Sequence, residues 1–167
     1  MAIGDSGSQP DPVERVERGR VSAQETSWAL RDLTRAAIDV DYAVARRLGL
    51  RPMDYTALSH IFGNDGTLSP RHLSARLGIS TGSATELLDR LESRGHIERH
   101  RSVDDRRRVT LTPTPSAVEE VLSELSPIIA ELDDLAADHT PAEREVISRY
   151  LRRAAQVMRQ FERDGST

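Results

Sequence analysis

Two short amphipathic segments, joined by a tight turn and followed by a charged hairpin pattern, constrain the fold of this chain most strongly. Ser69 and Pro70 predict the start of the first helix, because serine caps helix N-termini and proline fits the first helical position. This helix ends at Gly78, and Ser80 predicts the cap of a second helix over residues 81–94. Two short helices around such a turn are typical of a helix-turn-helix.

After Gly95 the periodicity of the sequence changes from helical to alternating. Residues 97–100 and 108–112 predict two short strands, and residues 102–105 predict the turn that joins them. A charged hairpin that directly follows the second helix is a wing. We therefore predict a mainly α fold with a small β-hairpin wing: a winged helix-turn-helix flanked by N- and C-terminal dimerisation helices.

Helical periodicity continues on both sides of this unit. Apolar residues recur at three- and four-residue steps over residues 23–48, 52–62 and 116–137, and again after Thr140 and Pro141. Pro127 lies inside one of these patterns and predicts a kink or a break. Residues 1–22 hold glycine, serine, proline and charged residues with little to bury, which predicts a flexible tail.

Composition and charge reduce the range of functions that the chain can have. The chain of 167 residues has no cysteine, which excludes disulfides, thiolate metal sites and thiol-based sensing. No apolar run reaches the length of a membrane span or a signal peptide, so we expect a cytoplasmic protein. The net charge is −4, yet residues 71–108 carry nine arginines against six acidic residues. A basic segment on an acidic body favours DNA as the partner.

The second helix of such a motif reads the major groove with its N-terminal turn, while phosphates bind free backbone N–H groups and arginines. The predicted DNA contacts lie at the helix starts, along the second helix and on the wing: Ser69, Arg71, Ser80, Thr81, Gly82, Ser83, Thr85, Arg90, Arg94, Arg101, Asp105, Arg106 and Arg107. Two alternatives remain open at this point. The hydroxyls could serve only as helix caps, and the wing tip could be a solvated charged turn.

Three segments resemble the MarR family of winged helix-turn-helix regulators. They are residues 77–83, residues 87–95, and the wing with the Pro113–Pro115 segment behind it. The resemblance implies that Asp105 and Arg107 form the family's characteristic wing pair. Pro113 replaces a leucine of the family pattern, and Ala117 stands near a missing glycine, which obscures only the junction between strand and helix. The resemblance extends over about residues 25–162 and is specific within residues 68–114.

The resemblance implies a homodimer in which the first, fifth and sixth helices of two chains interlock. The terminal helices are also more apolar than one winged domain needs, although packing within the chain is the alternative. We therefore predict a helical dimerisation region at residues 23–50 and 114–163 and a DNA-binding lobe at residues 51–113. A twofold dimer places two reading helices about one DNA turn apart, so the target is a near-palindrome.

The resemblance also implies a small aromatic or anionic effector, bound in a crevice between the dimer helices and the winged lobe. The side chains predicted to line this crevice are Trp28, Arg31, Tyr42, Tyr55 and His60. For each of them, a plain core or surface role is the alternative.

We predict a ligand-responsive repressor that binds a palindromic operator as a homodimer, without cofactor or metal. The five histidines show no metal-binding spacing, and no nucleophile elbow or phosphate-binding glycine loop occurs, so the sequence does not predict an enzyme. The remaining alternative is a winged helix that binds only protein. An arginine-rich wing tip argues against that alternative.

Overall fold

The computed structural model describes residues 24–64, 68–101 and 109–164, without the side chains of residues 162–164. In chain order its elements are α1 (Glu25–Arg47), α2 (Pro52–Phe62), α3 (Pro70–Leu77), α4 (Thr81–Ser93), β1 (Ile97–Arg101), β2 (Val109–Pro113), α5 (Pro115–Ala137) and α6 (Pro141–Asp164). This order confirms the predicted mainly α, winged helix-turn-helix fold. The predicted tail, residues 1–22, and the predicted wing tip lie outside the described residues.

The chain divides into two compact units, Met1–Thr56 and Ala57–Thr167, with the boundary inside α2. In the first unit, α1 ends near Leu48, and the Leu50 N–H donates to the Ala45 carbonyl at 2.8 Å. Leu50 itself is buried. The predicted division into a dimerisation region and a DNA-binding lobe stays a prediction.

The second unit has a leucine-rich core around the helix-turn-helix. Within it α4 contacts α3 and β1, and α3 contacts β2. The side chains that are fully buried there come from α2, from both helices of the motif and from the hairpin: Leu58, Ile61, Leu73, Leu87, Leu88, Leu91, Ile97 and Leu111. Burial of these apolar side chains fixes the angle between the two helices of the motif, and it holds β1 against α4 and β2 against α3.

The two strands pair antiparallel, from Ile97 opposite Pro113 to Arg101 opposite Val109. Two hydrogen bonds hold this hairpin to the segments beside the helices. The Leu111 N–H donates to the Leu68 carbonyl at 2.9 Å, just before α3. Thr114 donates its hydroxyl to the Gly95 carbonyl at 2.6 Å and so closes the base of the hairpin.

Pro127 lies within α5, which runs without a break from Pro115 to Ala137. The predicted alternative of a helix break is therefore wrong. Proline has no N–H to donate to the carbonyl four residues earlier, which belongs to Ser123. The Ser126 hydroxyl donates to that same carbonyl at 3.0 Å. This side-chain bond gives the Ser123 carbonyl a donor in place of the missing backbone N–H.

Candidate nucleic-acid interface

The turn between α3 and α4 depends on one glycine. Gly78 has a φ of 64°, in the left-handed region that side chains disfavour. Its N–H donates to the Ala75 carbonyl, and the Ile79 N–H donates to the Ser74 carbonyl. This pattern ends α3 and sets the direction in which α4 begins.

The hydroxyl of Ser80 caps α4. It accepts from the Ser83 N–H at 3.1 Å and lies 2.9 Å from the Ser83 hydroxyl. Ser80 therefore does cap the helix, as the alternative interpretation of the hydroxyls predicted. Because both side chains are also exposed, capping leaves their remaining hydrogen-bonding capacity open to solvent or to a ligand.

The next residues of α4 form an exposed small-residue surface. Thr81, Gly82 and Thr85 are all exposed, and the Thr85 hydroxyl donates to the Thr81 carbonyl at 2.9 Å. A Cβ built on Gly82 would meet only the Ser80 hydroxyl oxygen, at 3.8 Å, which is ordinary contact. Glycine costs helix stability, and nothing within the described chain requires it at this position. Because Gly82 has no side chain, an external partner can approach the helix closely at this position.

The starts of α3 and α4 are both favourable for anions. Ser69 caps α3 by accepting from the His72 N–H at 3.3 Å, and Arg71 is exposed in its first turn. Neither helix has an acidic residue in its first turn. The partial positive charge of each helix N-terminus is therefore not neutralised by a carboxylate within that turn.

The predicted arginine contacts are distributed along α4 and the hairpin. Arg90 is partly buried on α4, Arg94 is exposed at its end, and Arg101 is exposed at the end of β1. Asp105, Arg106 and Arg107 lie outside the described residues, so their role stays a prediction.

An ion-pair cluster between α4 and β1 is absent from the sequence-based predictions. The Arg99 guanidinium contacts Asp89 through Nη2 at 2.6 Å and Glu92 through Nη1 at 3.2 Å. In β1, Arg99 shares the inward face with the buried Ile97, whereas Glu98 is exposed. The alternation of β1 could therefore have indicated this cluster, because an arginine on the inward face of a strand needs acidic partners.

A partly polar cavity lies in the same region, between the helix-turn-helix and the hairpin. Its volume is about 420 Å³, and its lining comes from α3, α4 and the hairpin: Pro70, Thr85, Leu88, Glu92, Arg99, Arg101 and Val109. Beyond it on the hairpin, His100 Nε2 lies 2.7 Å from the Thr112 hydroxyl and 3.4 Å from a Glu98 carboxylate oxygen. The His100 side chain thus links the two strands of the hairpin through Thr112.

The predicted effector residues fall into separate groups. Tyr42 and Tyr55 line one groove of about 250 Å³ in the first unit, together with Asp41, and burial raises the pKa of the Asp41 carboxyl above its ordinary value. Trp28 and Arg31 pair with each other instead, with the guanidinium carbon 5.9 Å from the ring centroid. Neither of these two residues lines the groove.

His60 belongs to the second unit and is partly buried on α2. Its carbonyl accepts from the Asn64 side-chain amide at 2.7 Å. The structure brings together only the two tyrosines as a potential effector site, and the effector role of all five residues stays a prediction.

Large apolar side chains are exposed along α1, α5 and α6. On α6 the exposed residues recur at helical spacing, as Ile147, Leu151, Met158 and Phe161 do. Leu122, Ile129, Leu132 and Leu135 form a similar set on α5. Apolar surface of this extent on single helices marks an interaction face.

Other classes of site are absent from the part of the chain that the structure describes. Residues 24–64, 68–101 and 109–164 contain no cluster of three or more acidic or histidine side chains that could hold a metal ion. None of the helices in these ranges has the length and hydropathy that a membrane crossing requires.

Sequence comparisons identify relatives of this architecture. The sequence profile of the MarR family matches residues 48–108. YcgE, an uncharacterised HTH-type transcriptional regulator of Bacillus subtilis (strain 168), is 34% identical over 116 residues, which cover 70% of this chain and 75% of YcgE. The transcriptional repressor MprA of Escherichia coli (strain K12) is 33% identical over 99 residues, which cover 59% of this chain and 56% of MprA.

Solved structures share the fold. A mutant of MepR from a multidrug-resistant S. aureus clinical isolate has a TM-score of 0.67 at 18% identity, over 81% of this chain and 98% of that chain. The regulator Tm0710 from Thermotoga maritima has a TM-score of 0.59 at 26% identity, over 87% and 99%. Another mutant of S. aureus MepR, bound to an oligodeoxyribonucleotide, has a TM-score of 0.52 at 18% identity, over 81% and 99%. With these matches, the chain belongs to the MarR family of transcriptional regulators and carries that family's DNA-binding winged helix.

Proposed function

We propose that this protein is a repressor that binds a near-palindromic operator as a homodimer and responds to a small aromatic or anionic effector. The observation that carries the proposal is the exposed first turn of α4, which has two hydroxyls, a glycine and no acidic residue. A helix start of this composition accepts both base edges and phosphates at short range. In this proposal α4 is the recognition helix, and the protein acts in the cytoplasm, where its DNA lies.

Dimerisation is supported by the exposed apolar faces of α1, α5 and α6. Such faces cost free energy in water, and a second copy of the chain offers the same faces in return. Twofold symmetry then presents two recognition helices to successive turns of the major groove. Binding near a promoter blocks RNA polymerase sterically, which is the simplest route to repression. MprA, one of the relatives, is described as a transcriptional repressor.

Effector binding is supported by the groove that Tyr42 and Tyr55 line with Met53. Two aromatic rings and a thioether provide a mainly apolar surface, which suits a flat aromatic molecule. An effector in this groove changes DNA affinity only by the difference between its affinities for the DNA-binding and the non-binding forms of the dimer.

Fluorescence anisotropy with the duplex upstream of the protein's own gene tests the proposal. Wild type and Arg107→Ala are titrated at several salt concentrations, with an unrelated duplex as the specificity control. We expect tight, salt-dependent binding that favours the upstream duplex and weakens in the variant. The slope of log affinity against log salt gives the number of phosphates neutralised.

A matched control removes one arginine elsewhere. Arg144→Ala changes the net charge by the same amount on an exposed position of α6 and should leave the affinity unchanged. Equal and weak binding to both duplexes would point to an operator elsewhere. No binding to either duplex at low salt would contradict the proposal and favour the alternative, a winged helix that binds protein.

A further inference from the structure

The proposed recognition helix carries two carboxylates close to its reading surface. Asp89 lies one helical turn after Thr85, a predicted DNA contact, and Glu92 lies three residues further on. One turn corresponds to about 5.4 Å along the axis, which is shorter than the screening length at physiological salt. Unpaired acids at this distance repel DNA phosphates, so α4 as a bare helix is poorly suited to a polyanion.

Arg99 is placed to cancel that repulsion. Its two terminal nitrogens each contact one of the carboxylates, Asp89 at 2.6 Å and Glu92 at 3.2 Å. The Arg99 side chain is 26% exposed, whereas the Asp89 side chain is 58% exposed and the Glu92 side chain 43%. Its Nε is buried and has no hydrogen-bond partner among the described residues. The guanidinium is thus directed at the two acids rather than into solvent.

We propose that Arg99 is a charge-masking residue: it acts through Asp89 and Glu92 and makes the recognition helix electrostatically acceptable to DNA. This inference rests on the proposed DNA binding. Two other roles for Arg99 would fit an arginine at this position. It could contact a phosphate itself, or it could act only as a mechanical brace between β1 and α4.

Neutralising the acids distinguishes masking from both other roles. Four proteins are compared on the operator duplex across a salt series: wild type, Arg99→Gln, Asp89→Asn/Glu92→Gln, and the triple variant. Masking predicts that Arg99→Gln weakens binding about tenfold at low salt and less at high salt, because one unit of charge is involved within the screening length. The triple variant should return to within about threefold of wild type. The variant that keeps Arg99 but lacks both acids should bind more tightly than wild type.

The control for net charge combines Arg99→Gln with Asp133→Asn and Asp134→Asn, two exposed acids on α5. This protein has the same net charge as the triple variant and should stay as weak as Arg99→Gln alone. Thermal unfolding of every variant shows whether it is folded. If Arg99→Gln does not fold, the triple variant is compared with the variant that lacks only the two acids. Masking predicts a small difference in affinity between these two proteins, and direct contact of Arg99 with a phosphate predicts a large one.

Three results would overturn the inference. A triple variant as weak as Arg99→Gln would mean that Arg99 acts by direct contact or as a brace. Weaker binding after neutralising Asp89 and Glu92 would mean that the ion pairs themselves are required. Unchanged affinity of Arg99→Gln would remove any role of Arg99 in binding. Failure of the wild type to bind any duplex is a separate result, which overturns the proposed function and this inference with it.

Discussion

Ser80 has two roles at the same point of the chain. As the N-cap of α4 it accepts from the Ser83 N–H, and as an exposed hydroxyl it stands where the proposal places DNA. An alanine substitution would disturb both roles together. Residues that cap as well as serine but differ in charge separate the two roles.

We predict that Ser80→Asp leaves the fold intact and weakens DNA binding. Aspartate caps helices as well as serine, so the free energy of unfolding should stay within about 0.5 kcal/mol of wild type. Its carboxylate would face phosphates, and the affinity for the operator duplex should fall about tenfold or more. Urea unfolding and fluorescence anisotropy measure the two effects.

Asparagine at the same position is the neutral control. Ser80→Asn retains a capping side chain without charge, so stability should remain near wild type and the affinity for DNA should fall less than in Ser80→Asp. If Ser80→Asp bound the duplex as tightly as wild type, the first turn of α4 would not approach DNA, and the proposed reading mode would be wrong.

At the residue scale, sequence reasoning identified local interactions and missed non-local ones. The caps at Ser69 and Ser80 were predictable, because a cap is decided by residues within one turn. The Arg99 cluster joins residues seven and ten positions apart in different elements. Its partners depend on how β1 packs against α4, which no local pattern specifies.

At the element scale, α5 shows how a side chain can offset a proline. The Ser126 hydroxyl donates to the Ser123 carbonyl, the group that an N–H at position 127 would otherwise reach. The sequence-based prediction treated Pro127 alone and allowed a break. A serine immediately before a proline provides a replacement donor, and this pair of residues is the signal that the prediction did not use.

A double-mutant cycle on this pair has a defined expected result. Pro127→Ala restores the backbone bond and should raise the free energy of unfolding by about 1 to 3 kcal/mol. Ser126→Ala should lower it by about 0.5 to 1 kcal/mol in the wild type and by close to zero once position 127 is alanine. Urea unfolding at one fixed protein concentration measures all four proteins, because the proposed dimerisation would make stability depend on concentration. Strictly additive effects would show that the hydroxyl does not replace the missing bond.

The wing also shows what periodicity can predict at this scale. The alternation placed both strands within one residue of their observed bounds, Ile97–Arg101 and Val109–Pro113. It did not predict that Leu68, ahead of α3, bonds to Leu111 in β2. That pairing joins segments more than 40 residues apart and depends on how the chain returns to α3, so alternation within either segment cannot reveal it.

At the scale of the whole molecule, the exposed apolar faces decide whether one chain is the functional unit. Leu151 lies in the middle of the exposed stripe on α6, between Ile147 and Met158. Helical periodicity predicted this stripe from the sequence. It could not distinguish a face that packs within the chain from one that needs a partner, because both give the same pattern.

We predict that Leu151→Arg separates the proposed dimer without unfolding the helix-turn-helix and its hairpin. A buried, unpaired guanidinium at an interface costs several kcal/mol, so the dimer dissociation constant should rise by a factor of about one hundred or more. Sedimentation velocity over a range of protein concentrations measures this constant. Affinity for a palindromic duplex should fall with it, because each chain then binds its half-site independently and the gain from linked binding is lost.

Gln156→Arg is the matched control, since it adds the same charge at an exposed, polar position of α6. It should leave both the dimer and the palindrome affinity unchanged. A duplex with a single half-site tests whether each chain still binds DNA. Leu151→Arg should bind this duplex with the affinity of wild type, because the recognition helix and the wing are unchanged. A Leu151→Arg protein that remained dimeric would show that the α6 face is not the interface. Loss of half-site binding together with dimerisation would instead indicate that the substitution had unfolded the chain.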